Sequence, residues 1–245
     1  MRPLSNCHVL YTRAYSHYLR FEKQIELLGG NAYSYPLMDT HALELSLQDI
    51  QTLQEADYLI FTSVNAVKYF PFEHIYTAKA IAIGKATEKA LKTSRIVPVI
   101  TAPPPYTSES LLSIFQPIQK NILIIAAPNG RTYLYQNLVK NNPKTSYLYN
   151  YARYNPSTHW TFPITKTFDA LVIASQQTLN NLIEITPQTP LNLLQCNTCM
   201  LTFSERISCA ARKLGFETVL TVPQADEIAL IETLTHWWLQ KRSLT

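Results

Sequence analysis

Glycine is scarce in this chain, at 5 of 245 residues. A G-x-G-x-x-G loop and a P-loop both need closely spaced glycines, because the backbone must approach a phosphate. The sequence contains neither motif, and it also lacks the G-x-S-x-G turn of serine hydrolases and the H-E-x-x-H pattern of zinc proteases. These absences argue against nucleotide-dependent, serine-hydrolase and zinc-protease chemistry.

Long hydrophobic runs are missing as well. The run ILIIAA from Ile122 is typical of the longest, whereas a membrane-spanning helix needs about 20 apolar residues. The N-terminal stretch reaches Arg13 without the apolar core of a secretory signal. We therefore expect a cytoplasmic protein that has no membrane partner.

Cysteine is rare too, with four in the chain, which suits a compartment where thiols stay reduced. Cys196 and Cys199 form a C-x-x-C pair. A structural zinc site needs four ligands, however, and no second pair lies at usable spacing. We interpret both cysteines as ordinary buried or half-buried thiols and expect no metal.

The excess of positive charge is small, +4, and the 21 basic residues are spread along the chain. Nucleic-acid-binding proteins concentrate Lys and Arg on one face or in one run. The pattern therefore predicts no nucleic-acid partner, and it suits a small polyanionic ligand better.

Short apolar runs that alternate with helix-period segments are the dominant pattern. Such alternation predicts an α/β fold with parallel sheets flanked by helices. The predicted strands begin at His8, Tyr58, Lys79, Ile122, Ala170, Met200 and Glu217.

Internal repeats divide this pattern into two similar lobes. DYLIFTSVNAV from Asp57 parallels DALVIASQQTL from Asp169, and three further pairs of segments match in the same order. Stretches with linker character surround Pro36 and Pro156. They predict a discontinuous first lobe, residues 1–37 plus 154–245, and a second lobe, residues 38–153. Within the second lobe we expect a helix N-cap at Ser108.

Small polar or basic residues follow several of the predicted strands. Ligands of open parallel sheets bind beyond the carboxyl ends of the strands, where helix N-termini favour anions. Each residue alone is explained as a helix N-cap, but the set indicates an anion-lined cleft between the two halves. Its members are Thr12, Arg13, Thr62, Ser63, Gly84, Ser175 and Ser204.

Several ordered runs give the sequence a resemblance to the uroporphyrinogen-III synthase family over nearly its full length. They are VLYTR from Val9, FTSVNAVKYF from Phe61, IAIGKATEKAL from Ile81, TSESLL from Thr107, PNGRTYLYQNL from Pro128, Tyr151, and the segment from Ser204 to Leu234.

The resemblance implies two α/β lobes joined by a two-stranded connection, with neither metal nor organic cofactor. The substrate would be hydroxymethylbilane, a linear tetrapyrrole with acetate and propionate arms. Loss of its terminal hydroxyl as water gives an azafulvene, and ring D is inverted before the macrocycle closes. We expect a monomer, with substrate carboxylates held mainly by helix N-terminal amides.

The resemblance also implies that Tyr151 is the general acid, since a phenol stays protonated at neutral pH and can donate. Periodicity alone does not select it, because alternation predicts Tyr147, Tyr149 and Tyr151 on one strand face. Lys85, Thr87 and Arg131 join the strand-end residues as candidate substrate-binding residues. Two departures stand out: Ala126–Ala127 replace the family's usual Arg–Gly, and Ser204 stands where the first half has Gly84.

Two other functions share the same fold prediction. One is a two-lobed anion-binding protein without catalysis, which would ordinarily require export. The other is a nucleotide-dependent transferase, which the scarcity of glycine after strands disfavours.

Overall fold

Two five-stranded parallel sheets form the framework of the protein in a computed structural model, which describes residues 2–74 and 77–243. The strands are β1 His8–Tyr11, β2 Asn31–Ser34, β3 Asp39–Ala42, β4 Tyr58–Phe61, β5 Lys79–Ala82, β6 Val99–Thr101, β7 Ile122–Ala126, β8 Ser146–Tyr149, β9 Tyr151–Tyr154, β10 Ala170–Ile173, β11 Cys199–Thr202 and β12 Thr218–Thr221.

Helices follow most of these strands, as alternation predicts. They are α1 Tyr15–Leu27, α2 Leu47–Gln54, α3 Val64–Lys68, α4 Lys85–Thr93, α5 Ser108–Leu112, α6 Tyr133–Leu138, α7 Gln176–Ile185, α8 Gln188–Asn197, α9 Glu205–Lys213 and α10 Glu227–Ser243, with a 3-10 turn at Phe72–His74. The predicted α/β class with two parallel sheets flanked by helices is confirmed. No helix within the described ranges is both long and apolar enough for a membrane span.

The chain divides into two compact units. Unit 1 consists of Met1–Asp39 and Tyr154–Thr245, and unit 2 is Thr40–Arg153. The unit 1 sheet has the order β12-β11-β10-β1-β2, and the unit 2 sheet has the order β6-β5-β4-β7-β8. A two-stranded sheet, β3-β9, lies where the chain passes between the units.

Strand alternation gives each sheet an apolar layer on both faces. In unit 1, Leu171 belongs to the core beneath α7, α8 and α9, whereas its neighbour Val172 belongs to the core beneath α1 and α10. In unit 2, Leu59 packs with residues of α2, α3 and α4, whereas Ile60 packs with α5 and α6. Full burial of each such side chain is worth about 1.5–3 kcal/mol, so both sheets are stabilised from two sides.

The two sheets also share a polar device at the start of their central strands. Asp57 accepts a hydrogen bond from the backbone N–H of Asn121 at 2.9 Å, and Asp169 accepts one from His8 at 3.0 Å. In each case the carboxylate joins the central strand to the neighbouring strand's start. The aspartates that mark the sequence repeat therefore do the same structural work in both units.

Several local predictions differ from the structure. The α5 N-cap is Thr107 rather than Ser108, because Thr107 and Ser110 form a reciprocal capping box. Cys199 is buried at the start of β11, but Cys196 is exposed near the end of α8, so only one of this pair is a buried thiol. The described ranges contain no cluster of three or more His, Cys, Asp or Glu side chains suited to a metal ion.

Candidate active site

A cavity of about 490 Å³ lies in unit 2, beyond the carboxyl ends of β4 and β7. Thr62 and Ser63 line it after β4, and Ala126 and Ala127 line it at the end of β7. Because β4 and β7 are adjacent parallel strands, their ends deliver these residues to one edge of the sheet. Parallel sheets bind ligands at this kind of edge.

Tyr151 lines the same cavity, although it does not belong to this sheet. The chain leaves β8 after Tyr149 and enters β9 at Tyr151, and the residue between them, Asn150, donates its side-chain N–H to the Ala66 carbonyl at 2.8 Å. The prediction of one strand face for the three tyrosines is therefore wrong, since Tyr147 lies on β8 and Tyr151 on β9. The two strands differ in exposure as well: 42% of Tyr149 is exposed, but only 1% of Tyr151.

Three neighbours hold the Tyr151 ring. Its hydroxyl lies 2.9 Å from the Ser63 hydroxyl. The Tyr69 ring stacks on it with centroids 6.0 Å apart, and the Arg153 guanidinium lies 6.0 Å from its centroid. The Tyr69 hydroxyl donates in turn to the Thr40 carbonyl at 2.7 Å. Tyr151 is thus a buried phenol with a fixed orientation and one hydroxyl partner at the cavity wall.

Two arginines supply positive charge to the cavity lining. Arg131 is paired with Glu109 at 2.6 Å. The pKa of the Glu109 carboxyl is lowered, first by a hydrogen bond from the backbone N–H of Glu109 itself and then by the bond from Arg131. Among the described residues no carboxylate pairs with Arg153, which is exposed. Arg153 is therefore the cation more available to an anionic ligand.

Aromatic side chains also line the cavity. Tyr147 and Tyr149 are stacked with centroids 5.4 Å apart and nearly parallel planes. Tyr106 also lines the cavity, from the loop before α5. The Lys85 ammonium stands 5.8 Å from the centre of its ring. Such side chains suit a ligand with planar aromatic rings better than a small ion.

The structure brings four of the predicted residues together: Thr62, Ser63, Arg131 and Tyr151 all line the unit 2 cavity. The other predicted residues of unit 2 lie outside its lining. Gly84 is the N-cap of α4, Lys85 begins that helix, and Thr87 is buried within it.

The remaining predicted residues belong to unit 1. Thr12 is buried and donates to the Val172 carbonyl. The Arg13 guanidinium lies 5.5 Å from the centre of the Phe203 ring. Ser175 and Ser204 are the N-caps of α7 and α9. Because β1, β10 and β11 are adjacent parallel strands, these residues share the carboxyl edge of the unit 1 sheet.

Unit 1 has a larger groove of about 630 Å³, along α10 and beyond β12, but it contains none of the predicted residues. The unit 2 cavity is the better candidate because hydroxyl groups, two guanidinium groups and aromatic faces converge there. Sequence reasoning missed Arg153, Tyr69 and Tyr106. Of these, Arg153 could have been predicted from the sequence, since a residue two places from Tyr151 on a strand shares its face.

Comparisons with known proteins agree with one another. A family model described as Uroporphyrinogen-III synthase HemD matches residues 20–232. A uroporphyrinogen-III synthase of Salmonella typhimurium is 28% identical in an alignment of 233 residues, which covers 86% of this chain and 93% of that protein.

Solved structures show the same architecture. The crystal structure of a mutant uroporphyrinogen III synthase from Thermus thermophilus matches with a TM-score of 0.64 at 17% identity, covering 96% of this chain and 99% of that one. A uroporphyrinogen-III synthetase from Helicobacter pylori matches with a TM-score of 0.63 at 14% identity, covering 94% and 99% of the two chains. At these identities the likeness shows the fold.

Proposed function

The chain belongs to the uroporphyrinogen-III synthase family, and on that premise we propose that the unit 2 cavity is where hydroxymethylbilane loses its terminal hydroxyl and closes into uroporphyrinogen III. The observation that carries the site assignment is the buried Tyr151 phenol, hydrogen-bonded to Ser63 at a wall lined by two arginines.

Tyr151 is the source of the proton in this proposal. Departure of the hydroxyl as water needs one proton, and electrons from the pyrrole nitrogen assist the cleavage of the carbon–oxygen bond. The products of this step are an azafulvene-type cation and the phenolate of Tyr151. Ring D then inverts and the ring closes, and the proton lost from the attacked pyrrole carbon restores the phenol. The net change is loss of one water.

The other lining residues support binding of the same substrate. The planar pyrrole rings of hydroxymethylbilane match the aromatic side chains of Tyr106, Tyr147 and Tyr149. Its acetate and propionate arms match the guanidinium groups, which bind carboxylates with paired N–H donors. In this proposal Arg153 contributes more to binding the substrate carboxylates than Arg131 does, because the Arg131 guanidinium is already bonded to Glu109.

We also propose that the protein acts in the cytoplasm as a monomer. Its four cysteines are free, as expected where thiols stay reduced. The alternative of an anion-binding protein without catalysis explains the arginines, but it gives no role to a buried phenol at the cavity wall.

Product analysis tests the proposal directly. Purified protein is incubated with enzymatically generated hydroxymethylbilane, without added metal or nucleotide, and the ring isomers are separated. Spontaneous closure gives the uninverted type I ring, so we expect the type III isomer to predominate. Type I product alone, from protein with a cooperative unfolding transition, would overturn the assignment.

A further inference from the structure

The hydroxyl of Ser63 has three hydrogen-bonding positions, and two of them are accounted for. Ser63 is the N-cap of α3, and its oxygen accepts the backbone N–H of Ala66 at 3.1 Å. The same oxygen lies 2.9 Å from the Tyr151 hydroxyl. A serine hydroxyl offers one proton and two lone pairs. If Tyr151 donates to the second lone pair, the Ser63 proton is left for a third partner.

Exposure indicates where that third partner comes from. Tyr151 is only 1% exposed, so its own hydroxyl has little access to the cavity. Ser63 is half-buried, and it also lines the cavity. Ser63 is therefore the more exposed of the two hydrogen-bonded residues, and its hydroxyl is better placed to meet a substrate in the cavity.

The α3 segment keeps this arrangement in place from both ends. Ser63 precedes the helix, Tyr69 follows it, and both contact Tyr151. Ala66, in the middle of the helix, donates its N–H to Ser63 and accepts a bond from Asn150, the residue before Tyr151. The two hydroxyl groups are thus connected through one short segment of backbone, which limits independent movement of either.

We propose that Ser63 is a catalytic residue that relays the proton of Tyr151 to the departing hydroxyl of the substrate. The Ser63 O–H bond breaks as its proton moves to the substrate oxygen, and the carbon–oxygen bond breaks with its electron pair going to the water that leaves. The Tyr151 proton moves to the Ser63 oxygen in the same step, so Ser63 stays neutral and the phenolate forms at Tyr151. At ring closure the released proton returns by the same route.

This relay rests on the proposed function, and a double-mutant cycle separates the two. Ser63→Ala, Tyr151→Phe and the double variant are compared with the wild type in the isomer assay, with kcat and KM for hydroxymethylbilane measured separately. Each single variant should lower kcat by about 10- to 100-fold, at the low end of general-acid effects or below it. The double variant should be no more than about 3-fold slower than the slower single variant, because residues that act as a unit are not additive.

Two further variants distinguish the relay from a structural role. Ser63→Thr keeps both the hydroxyl and the cap, so it should retain most of the activity. Ser46→Ala removes the N-cap hydroxyl of α2 in the same unit, where it accepts the Asp49 N–H at 3.1 Å. It should lower thermal stability to a similar extent as Ser63→Ala and leave kcat unchanged.

The outcomes separate cleanly. A kcat for Ser63→Ala within about 3-fold of wild type, beside a slow Tyr151→Phe, would show direct donation by the phenol and overturn the relay alone. Multiplicative losses in the double variant, or a change confined to KM, would also overturn it. A normal kcat for Tyr151→Phe would remove the proton source itself, and with it both the acid assignment and the relay.

Discussion

The two sheets have equivalent strands on either side of their central strands, although the chain passes through them in a different order, and the two units use equivalent hydroxyl groups differently. Ser63 follows the central strand of unit 2, and Ser175 follows the central strand of unit 1. Each caps the next helix by accepting a backbone N–H at 3.1 Å. The second partner of Ser175 is the Thr178 hydroxyl, 2.8 Å away on its own helix, whereas the second partner of Ser63 is Tyr151, 88 residues along the chain.

The two hydrogen bonds of Ser63 therefore have different origins: one is a cap that both units share, and the other belongs to the proposed site. The cap is common to both units, because every helix start has unpaired N–H groups. Among the described residues, a distant tyrosine hydroxyl bonds to Ser63 of unit 2, and none bonds to Ser175 of unit 1. In the proposed mechanism, the units therefore differ in the group that the second hydrogen bond of a shared capping residue reaches.

The two units should respond alike when a side chain in the core of either is shortened. Leu59 and Leu171 occupy equivalent places in the two central strands, and both are 0% exposed. Replacing either by Ala should lower the free energy of unfolding by about 2–5 kcal/mol, through lost burial and a residual cavity. Urea denaturation measures both. Leu47→Ala, at a side chain that is 88% exposed, is the control. A loss below about 1 kcal/mol for either buried leucine would contradict the packing described for that unit.

Substitution of two neighbouring tyrosines should have very different effects on kcat. Tyr151→Phe should lower kcat by about 10- to 100-fold and leave thermal stability and product affinity nearly unchanged, since Phe keeps the stacking on Tyr69. Tyr149→Phe should be much milder, because that side chain is on β8 and has no bond to Ser63. Equal losses from the two changes, measured by single-turnover formation of the type III isomer, would contradict the choice of Tyr151.

These tyrosines also show which features of the structure could be predicted from the sequence alone and which could not. The repeat that begins at Asp57 and Asp169 was sufficient for the α/β class and both parallel sheets, because apolar strands and their punctuation are local signals. The strand break at Asn150 was not predictable from local pattern, since the side chain of Asn150 bonds to Ala66, 84 residues away in the sequence. Alternation therefore placed Tyr147 and Tyr151 on one face, and only the family resemblance selected Tyr151.

The two cavity arginines should not be equivalent. Arg153→Ala should raise KM for hydroxymethylbilane by about 10-fold, the loss of one charge-assisted hydrogen bond. Arg131→Ala should raise it by less, because its guanidinium is shared with Glu109. Arg153→Lys, which keeps the charge without the paired donors, should fall between wild type and Arg153→Ala. A larger effect at Arg131 would reverse the assignment of the main carboxylate contact.

The shared caps offer a smaller effect. Ser63→Ala and Ser175→Ala should each lower the free energy of unfolding by about 1 kcal/mol, the usual cost of a lost N-cap. The backbone N–H groups remain, so product affinity should change by no more than about 1 kcal/mol in either variant. Thermal denaturation and product titration measure the two quantities. A loss of several kcal/mol of affinity would show that the hydroxyl itself binds the product.

The smallest effect concerns the start of α9, where unit 1 has Glu205 and unit 2 has Lys85 at the matching place after β5. Hydrogen bonds from Thr221, then Arg212 and Cys209, lower the pKa of Glu205 from 4.5 to about 2. A lowered folded-state pKa stabilises the protein above the unfolded value near 4.5, and this contribution is lost as the pH falls toward about 2.

Glu205→Gln should therefore lower the Tm by a few degrees at pH 7, as expected for an exposed pair. The difference from wild type should shrink between pH 4.5 and pH 2, and Glu217→Gln is the control because Glu217 has no bond to Arg212 or Thr221 among the described residues. A Tm difference that is independent of pH would show that the Glu205 charge contributes nothing.

The interruption of unit 1 by unit 2 has a consequence for the order in which the chain can fold. β1 pairs with β10, and His8 lies 161 positions before Asp169, so no local contact can bring these strands together. All five strands of the unit 2 sheet leave the ribosome before β10 does. Until β10 is made, β1 lacks its central partner and presents an open strand edge, the kind of edge that promotes aggregation. We therefore expect the N-terminal segment to need protection from aggregation until β10 has been made.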